Sequence, residues 1–101
     1  MTVQREGSKT ILLAEGRIDA NHAPQFASEI ENALPGTTEL ILDFSELRYI
    51  SSSGLRALML AAKVMARQGE IHIVGVNENI YDILETTGFA GVMDVERAKA
   101  E

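Results

Sequence analysis

Two short apolar runs, ELILDF at Glu39 to Phe44 and IHIVGV at Ile71 to Val76, constrain the fold of this chain more than any other feature. A continuous apolar run of this length reads as a strand covered on both faces, or nearly so. Between the two runs lies a helical segment, from about Ser53 to Arg67, closed by Gly69. Strand, helix and strand in that order imply parallel pairing through a right-handed crossover.

The flanking sequence extends the pattern. Val3 to Arg5 and Thr10 to Ile18 read as strands, and Glu6-Gly7-Ser8 supplies a hairpin turn. After a polar break at Asp19 to Asn21, a helix begins with Pro24 in its first turn. Ala23, Phe26, Ala27, Ile30, Ala33 and Leu34 recur on one face of it, and Pro35-Gly36 ends it. Past the second run, Asn77 can cap a helix in which Ile80, Ile83 and Leu84 share a face, with Gly88 at its end. Val92 to Val95 suggests a last short strand. The order β-β-α-β-α-β-α, with one more strand, predicts an α/β fold: a small mixed sheet of four to five strands packed against three or more helices. At 101 residues the chain suits a single domain spanning 1–101.

Apolar residues make up 46% of the chain, enough to bury a core. The net charge of −6, with no Lys/Arg cluster, argues against nucleic acid as a partner. The absence of cysteine excludes disulfides and thiolate metal sites and fits a reducing compartment. MTVQREGSKT does not read as a secretory signal. The longest apolar stretch, around Ala57 to Ala62, falls far short of the roughly 20 residues of a membrane span. The expectation is a cytoplasmic protein with no membrane insertion.

Three serines, Ser51 to Ser53, stand where the central helix begins, followed by Gly54. A serine oxygen there can accept from an unpaired backbone N–H and cap the helix. That accounts well for one hydroxyl and less well for three. The other reading is a phosphoryl acceptor: unpaired N–H groups and the helix dipole favour negative charge at this end. The fold would tolerate the modification, while nearly two negative charges and three strong acceptor oxygens appear at one spot on the surface.

Along the same helix, Leu55, Leu58, Met59, Ala62, Met65 and Ala66 form the expected core stripe. Ala57, Leu60, Ala61 and Val64 point away from it, with Arg56, Lys63 and Arg67 to one side. That outer face is either a second packing layer or a docking surface with an apolar centre and a basic edge.

Catalytic chemistry has little support. A serine nucleophile needs a base, and only His22 and His72 exist. No GxSxG elbow, GxxxxGK[ST] loop or GxGxxG turn is present. The two histidines lack ligand-spaced partners for a metal. No enzyme, cofactor or metal is expected. Asp19 and Asp43 fall at strand ends, where carboxylates often cap turns but where α/β sheets also gather their sites.

The element order, GRID at Gly16 to Asp19, LDFSELRYISSSGLRAL at Leu42 to Leu58 and GEIHIVGVNENIYDILETTGF at Gly69 to Phe89 together resemble a STAS domain, more narrowly a bacterial anti-sigma factor antagonist. The resemblance spans nearly the whole chain, and the Ser-Ser-Gly-Leu segment is its most specific part. It implies a non-enzymatic switch. The unmodified antagonist binds an anti-sigma factor that is also a serine kinase of the histidine-kinase-like ATPase fold, and so frees a sigma factor. Phosphorylation releases the antagonist, and a serine phosphatase restores it. Carried over, the acceptor is Ser53, with Ser52 as its usual serine neighbour and Asp19 near the partner surface. Ser51 replaces a residue that is often acidic, so it can take over the capping role, and Ser52 or Ser51 remain alternative acceptors. The expected partner-binding residues are Asp19, Asn21, Ser51, Ser52 and Gly54 in the loops, and Arg56, Ala57, Leu60, Lys63 and Val64 on the helix. STAS domains of stressosomes, lipid-transport complexes and anion transporters, which lack a uniform serine switch, are the alternative.

Overall fold

The computed structural model describes residues 1–98. A hairpin opens the chain: β1 (Thr2–Glu6) pairs antiparallel with β2 (Lys9–Ile18), and Glu6 faces Lys9 across the turn. From β2 onward every strand is parallel to its neighbour, and each crossover carries a helix. α1 (Ala23–Ala33) leads to β3 (Glu39–Ile50), α2 (Ser52–Gln68) to β4 (Glu70–Val76), and α3 (Glu78–Thr86) with the short α4 (Phe89–Val92) to β5 (Asp94–Arg97). The sheet order is β1-β2-β3-β4-β5, so sequence neighbours are spatial neighbours.

That order decides where the helices go. A right-handed crossover to the next strand, repeated in one direction, places every connecting helix on the same side of the sheet. The core follows. Leu12, Ala14 and Ile18 of β2, Leu40, Leu42 and Phe44 of β3, and Ile73 and Val76 of β4 are buried in one cluster with Phe26 and Ile30 of α1, Leu58 and Met65 of α2, and Ile80 and Leu84 of α3. Phe26 meets Phe44 with ring centroids 6.2 Å apart and tilted by 55°, a favourable aromatic geometry that ties α1 to the central strand. One polar pair is sealed in this layer. The Thr37 hydroxyl donates to the Ala33 carbonyl, so its oxygen accepts from the Thr10 hydroxyl at 2.8 Å.

The intervening positions, Ile11, Leu13, Ile41, His72 and Val74, face the opposite side and remain in contact with solvent. The two apolar runs are therefore covered fully on one face only. Helix count and strand count agree with expectation, with three refinements. β3 continues through the polar SELRY segment to Ile50, still paired with the end of β2. The turn of four residues at α4 has no clear periodicity in the sequence. The last strand starts at Asp94 rather than Val92.

The α2 stripe is the main correction. Its buried residues are Gly54, Ala57, Leu58, Ala61 and Met65, with Leu55 and Ala62 half-buried, whereas Met59 is 46% exposed and Ala66 is also exposed. Small residues turn inward because α1 packs closely beside α2, and Ala57 and Ala61 leave room for it. Bulky Met59 and Leu60 are consequently left outside.

Candidate functional site: the serine loop and the outer face of α2

Pairing of Arg17 with Tyr49 and Ile18 with Ile50 carries β2 and β3 side by side to their C-terminal ends. The Ser51 amide then donates to the Ile18 carbonyl at 2.8 Å. The loop after β2 and the serine loop after β3 thus leave the sheet together, at the strand ends where α/β folds place their sites. Gly54 fixes the fit. A Cβ there would stand 2.7 Å from Ile50 and 2.8 Å from Ile18, so only glycine lets the first turn of α2 sit on the strand ends.

Each serine has a different environment. Ser51 has extended backbone and is the N-cap: its Oγ accepts from the Gly54 amide at 3.3 Å, and its carbonyl accepts from Leu55 at 3.0 Å. Ser52 is exposed. Ser53 is half-buried and lines a shallow groove between α1 and α2, together with Ala20, Pro24, Arg56 and Leu60. Both remaining hydroxyls stand in the first turn of a helix of 17 residues, and a phosphate on either would lie at the positive end of its dipole.

Asp19 closes the neighbouring loop. Its Oδ1 accepts from the Asn21 amide at 3.0 Å, the His22 amide at 3.1 Å and the His22 Nδ1–H at 2.7 Å. The hydrogen bond from the His22 ring, joined by the backbone amides, holds the Asp19 carboxyl below its ordinary range, against a smaller opposing effect of burial. Asp19 therefore acts first as the cap of this turn, because α1 itself has no side-chain cap at His22. Asn21 beside it is exposed, and His22 is engaged with Asp19 rather than with any serine.

The outer face of α2 continues from the groove. Leu60 is 58% exposed and Val64 38%, among the largest apolar exposures of the described residues, and Arg56, Lys63 and Arg67 flank them in solvent. α2 carries no carboxylate at all, in a chain of net charge −6. The structure thus brings together Asp19, Asn21, Ser51, Ser52, Ser53, Arg56, Leu60, Lys63 and Val64 as one continuous edge. It removes two expected contact residues. Gly54 is buried under the first turn, and Ala57, 5% exposed, contributes only to the floor of the groove. Sequence spacing placed Met59 in the core stripe, whereas it is exposed on the far side of the Arg56, Lys63 and Arg67 row from Leu60. A count of bulky against small residues around the helix would have pointed to it.

Residues 1–95 match the family described as Mlab, STAS domain. An anti-sigma-B factor antagonist of Listeria monocytogenes is 27% identical over 101 residues, a match covering 97% of this chain and 88% of that protein. Among solved structures, the anti-sigma factor antagonist SpoIIAA in its unphosphorylated form superposes with a TM-score of 0.75 at 14% identity, over 98% of this chain and 88% of the other. The Bacillus cell fate determinant SpoIIAA in the phosphorylated form gives 0.74 at 16% identity, over 93% and 88%. These structures share the fold of the described residues. The chain belongs to the STAS domain family.

Proposed function

From this membership we propose that the protein is an anti-sigma factor antagonist, a regulator rather than an enzyme. Its unmodified form docks on an anti-sigma factor through the serine loop and the outer face of α2, and a serine hydroxyl there is the switch. The observation that carries this reading is the division of labour among the serines: Ser51 is consumed by the cap, which leaves Ser52 and Ser53 at the helix start with no structural task among the described contacts. The names of the Listeria relative and of SpoIIAA support the same class.

Ser53 is the preferred acceptor. It lies in the groove between α1 and α2, open to solvent, with Arg56 one turn further along the same helix. A phosphate there meets the N-terminal amides of α2, so the scaffold keeps its shape. The partner, docked over Leu60 and Val64, instead meets bulk and close to two negative charges beside a face it had read as apolar and basic. The kinase is expected to be the anti-sigma factor itself, of the histidine-kinase-like ATPase fold, with a serine phosphatase reversing the step and the whole cycle cytoplasmic.

The test uses the host's anti-sigma kinase and ATP. Mass spectrometry should find one added phosphate on the serine peptide. Ser53→Ala should bind the kinase constitutively and Ser53→Asp at least about tenfold more weakly, with both variants melting like the parent. Equal affinities would remove the switch, and a phosphate on Ser52 would move it by one residue. The second reading is a STAS docking module with no phosphorylation, with which membership of the family alone agrees equally well. It predicts an unmodified serine peptide and binding that is insensitive to both substitutions.

A further inference from the structure

We propose that the uncovered face of the sheet is a second docking surface, and that the α2 face of another copy of this chain occupies it. All-parallel sheets occur almost only with both faces covered, and four of the five strands here, β2 to β5, are parallel. This sheet has all its helices on one side, and on the other a central apolar strip of Ile11, Leu13, Ile41 and Val74. The strip is framed by acid. Cross-strand register places Glu6, Lys9, Glu39 and Glu70 in one row along the sheet, and Ile41, His72 and Asp94 in the next. Asp43 stands between Leu13 and Val74. In the first two rows four carboxylates, Glu6, Glu39, Glu70 and Asp94, face one lysine, Lys9, while Arg17 lies further along the same face beside Tyr49.

The opposite surface of the molecule has the reverse character. α2 presents a row of Arg56, Lys63 and Arg67, with exposed Leu60 and Val64 on one side of it and Met59 on the other, without one carboxylate. An apolar centre with a basic edge therefore meets an apolar centre with an acidic edge when one copy stacks on the next. Like-charged faces disfavour the two symmetric alternatives, α2 on α2 and sheet on sheet. The contact is heterologous, so it does not close on itself as a twofold dimer does, and further copies can add at either end. A partner bound to α2 would occupy the same residues and cap the stack. The inference uses the α2 surface but not the kinase or the serine switch, so each stands or falls separately.

Sedimentation of the purified chain alone tests this. The parent should associate as concentration rises and dissociate as salt is added, because screening weakens charge pairing at a rim. Leu60→Glu spoils the α2 face and Ile41→Lys the sheet face. Each alone should be monomeric, with association weakened by at least about tenfold. Mixed in equal amounts, they should form a 1:1 dimer that grows no further, since one intact α2 face and one intact sheet face remain. A parent that stays monomeric at millimolar concentration would overturn the proposal, as would a mixture of folded variants that stays monomeric. Lys63→Glu with Glu70→Lys repeats the test at exposed positions if either first substitution disturbs folding.

Discussion

Ser51 and Gly54 are the residues on which the helix start depends, and neither is replaceable for the same reason. Ser51→Ala removes the cap oxygen and should cost about 1 kcal/mol in chemical denaturation, leaving the remaining serines in place. Gly54→Ala should cost more, because backbone of the first turn must lift off Ile18 and Ile50. It should also displace Ser53, so its effect on partner binding would exceed its effect on stability, as read by comparing affinity with the denaturation midpoint. A midpoint unchanged from the parent would show that the strand ends yield. The role of a capping serine was legible from three hydroxyls before a helix, but which of them capped was not. That choice depends on the Ser51 amide reaching across to the Ile18 carbonyl, a contact between segments more than thirty residues apart. Asp19 was legible as a turn cap for the opposite reason, since the hydrogen-bond partners of its side chain lie within three residues.

At the scale of elements, the order of strands and helices could be read from periodicity and punctuation. The Asn77 cap is an example: its side chain accepts from the Ile80 amide at 2.8 Å, where the sequence placed a helix start. The rotation of α2 could not be read, because Ala57 and Ala61 are apolar on any scale and only the closeness of α1 makes them the buried side. This distinction is measurable. Leu58→Ala should lower stability by roughly 2–5 kcal/mol, as expected for a cavity in a close-packed core. Leu60→Glu should leave the melting transition within about 0.5 kcal/mol of the parent and act only on association. A cooperative loss of fold in Leu60→Glu would place Leu60 in the core instead. The junction of α2 with β4 is equally specific. A Cβ on Gly69 would fall 1.9 Å from the Thr38 carbonyl oxygen, so Gly69→Ala should force the helix end away from β3 and lose the Glu70 amide bond to Thr38. Hydrogen exchange at Glu70 would report it.

Across the whole molecule, the sheet holds a pH-dependent tie at its far edge. His72 on β4 donates from Nδ1 to Asp94 on β5 at 2.9 Å, with Glu70 at 3.3 Å and Glu39 at 4.0 Å from Nε2. The bond to Asp94 is the largest cause that raises the imidazole above its ordinary value, Glu70 adds to it, and burial opposes both. A group raised in the folded state stabilises it fully below the unfolded value of about 6.5 and loses that contribution as pH climbs through the folded value. Thermal stability should therefore decline from mildly acidic toward mildly alkaline pH, and His72→Gln should flatten that decline. A profile identical in parent and variant would show that β5 does not depend on the pair. None of this edge was visible beforehand, since His72 and Asp94 meet only once β5 is laid beside β4. The uncovered sheet face was hidden too, because an unbroken apolar run looks the same whether one side or both are covered. The strand order has a kinetic consequence of its own. Since every strand lies beside the one that precedes it in the chain, each new pairing closes a loop no longer than one crossover. Little entropy is lost at any step, and the sheet can grow outward from the hairpin without waiting for distant segments to find one another.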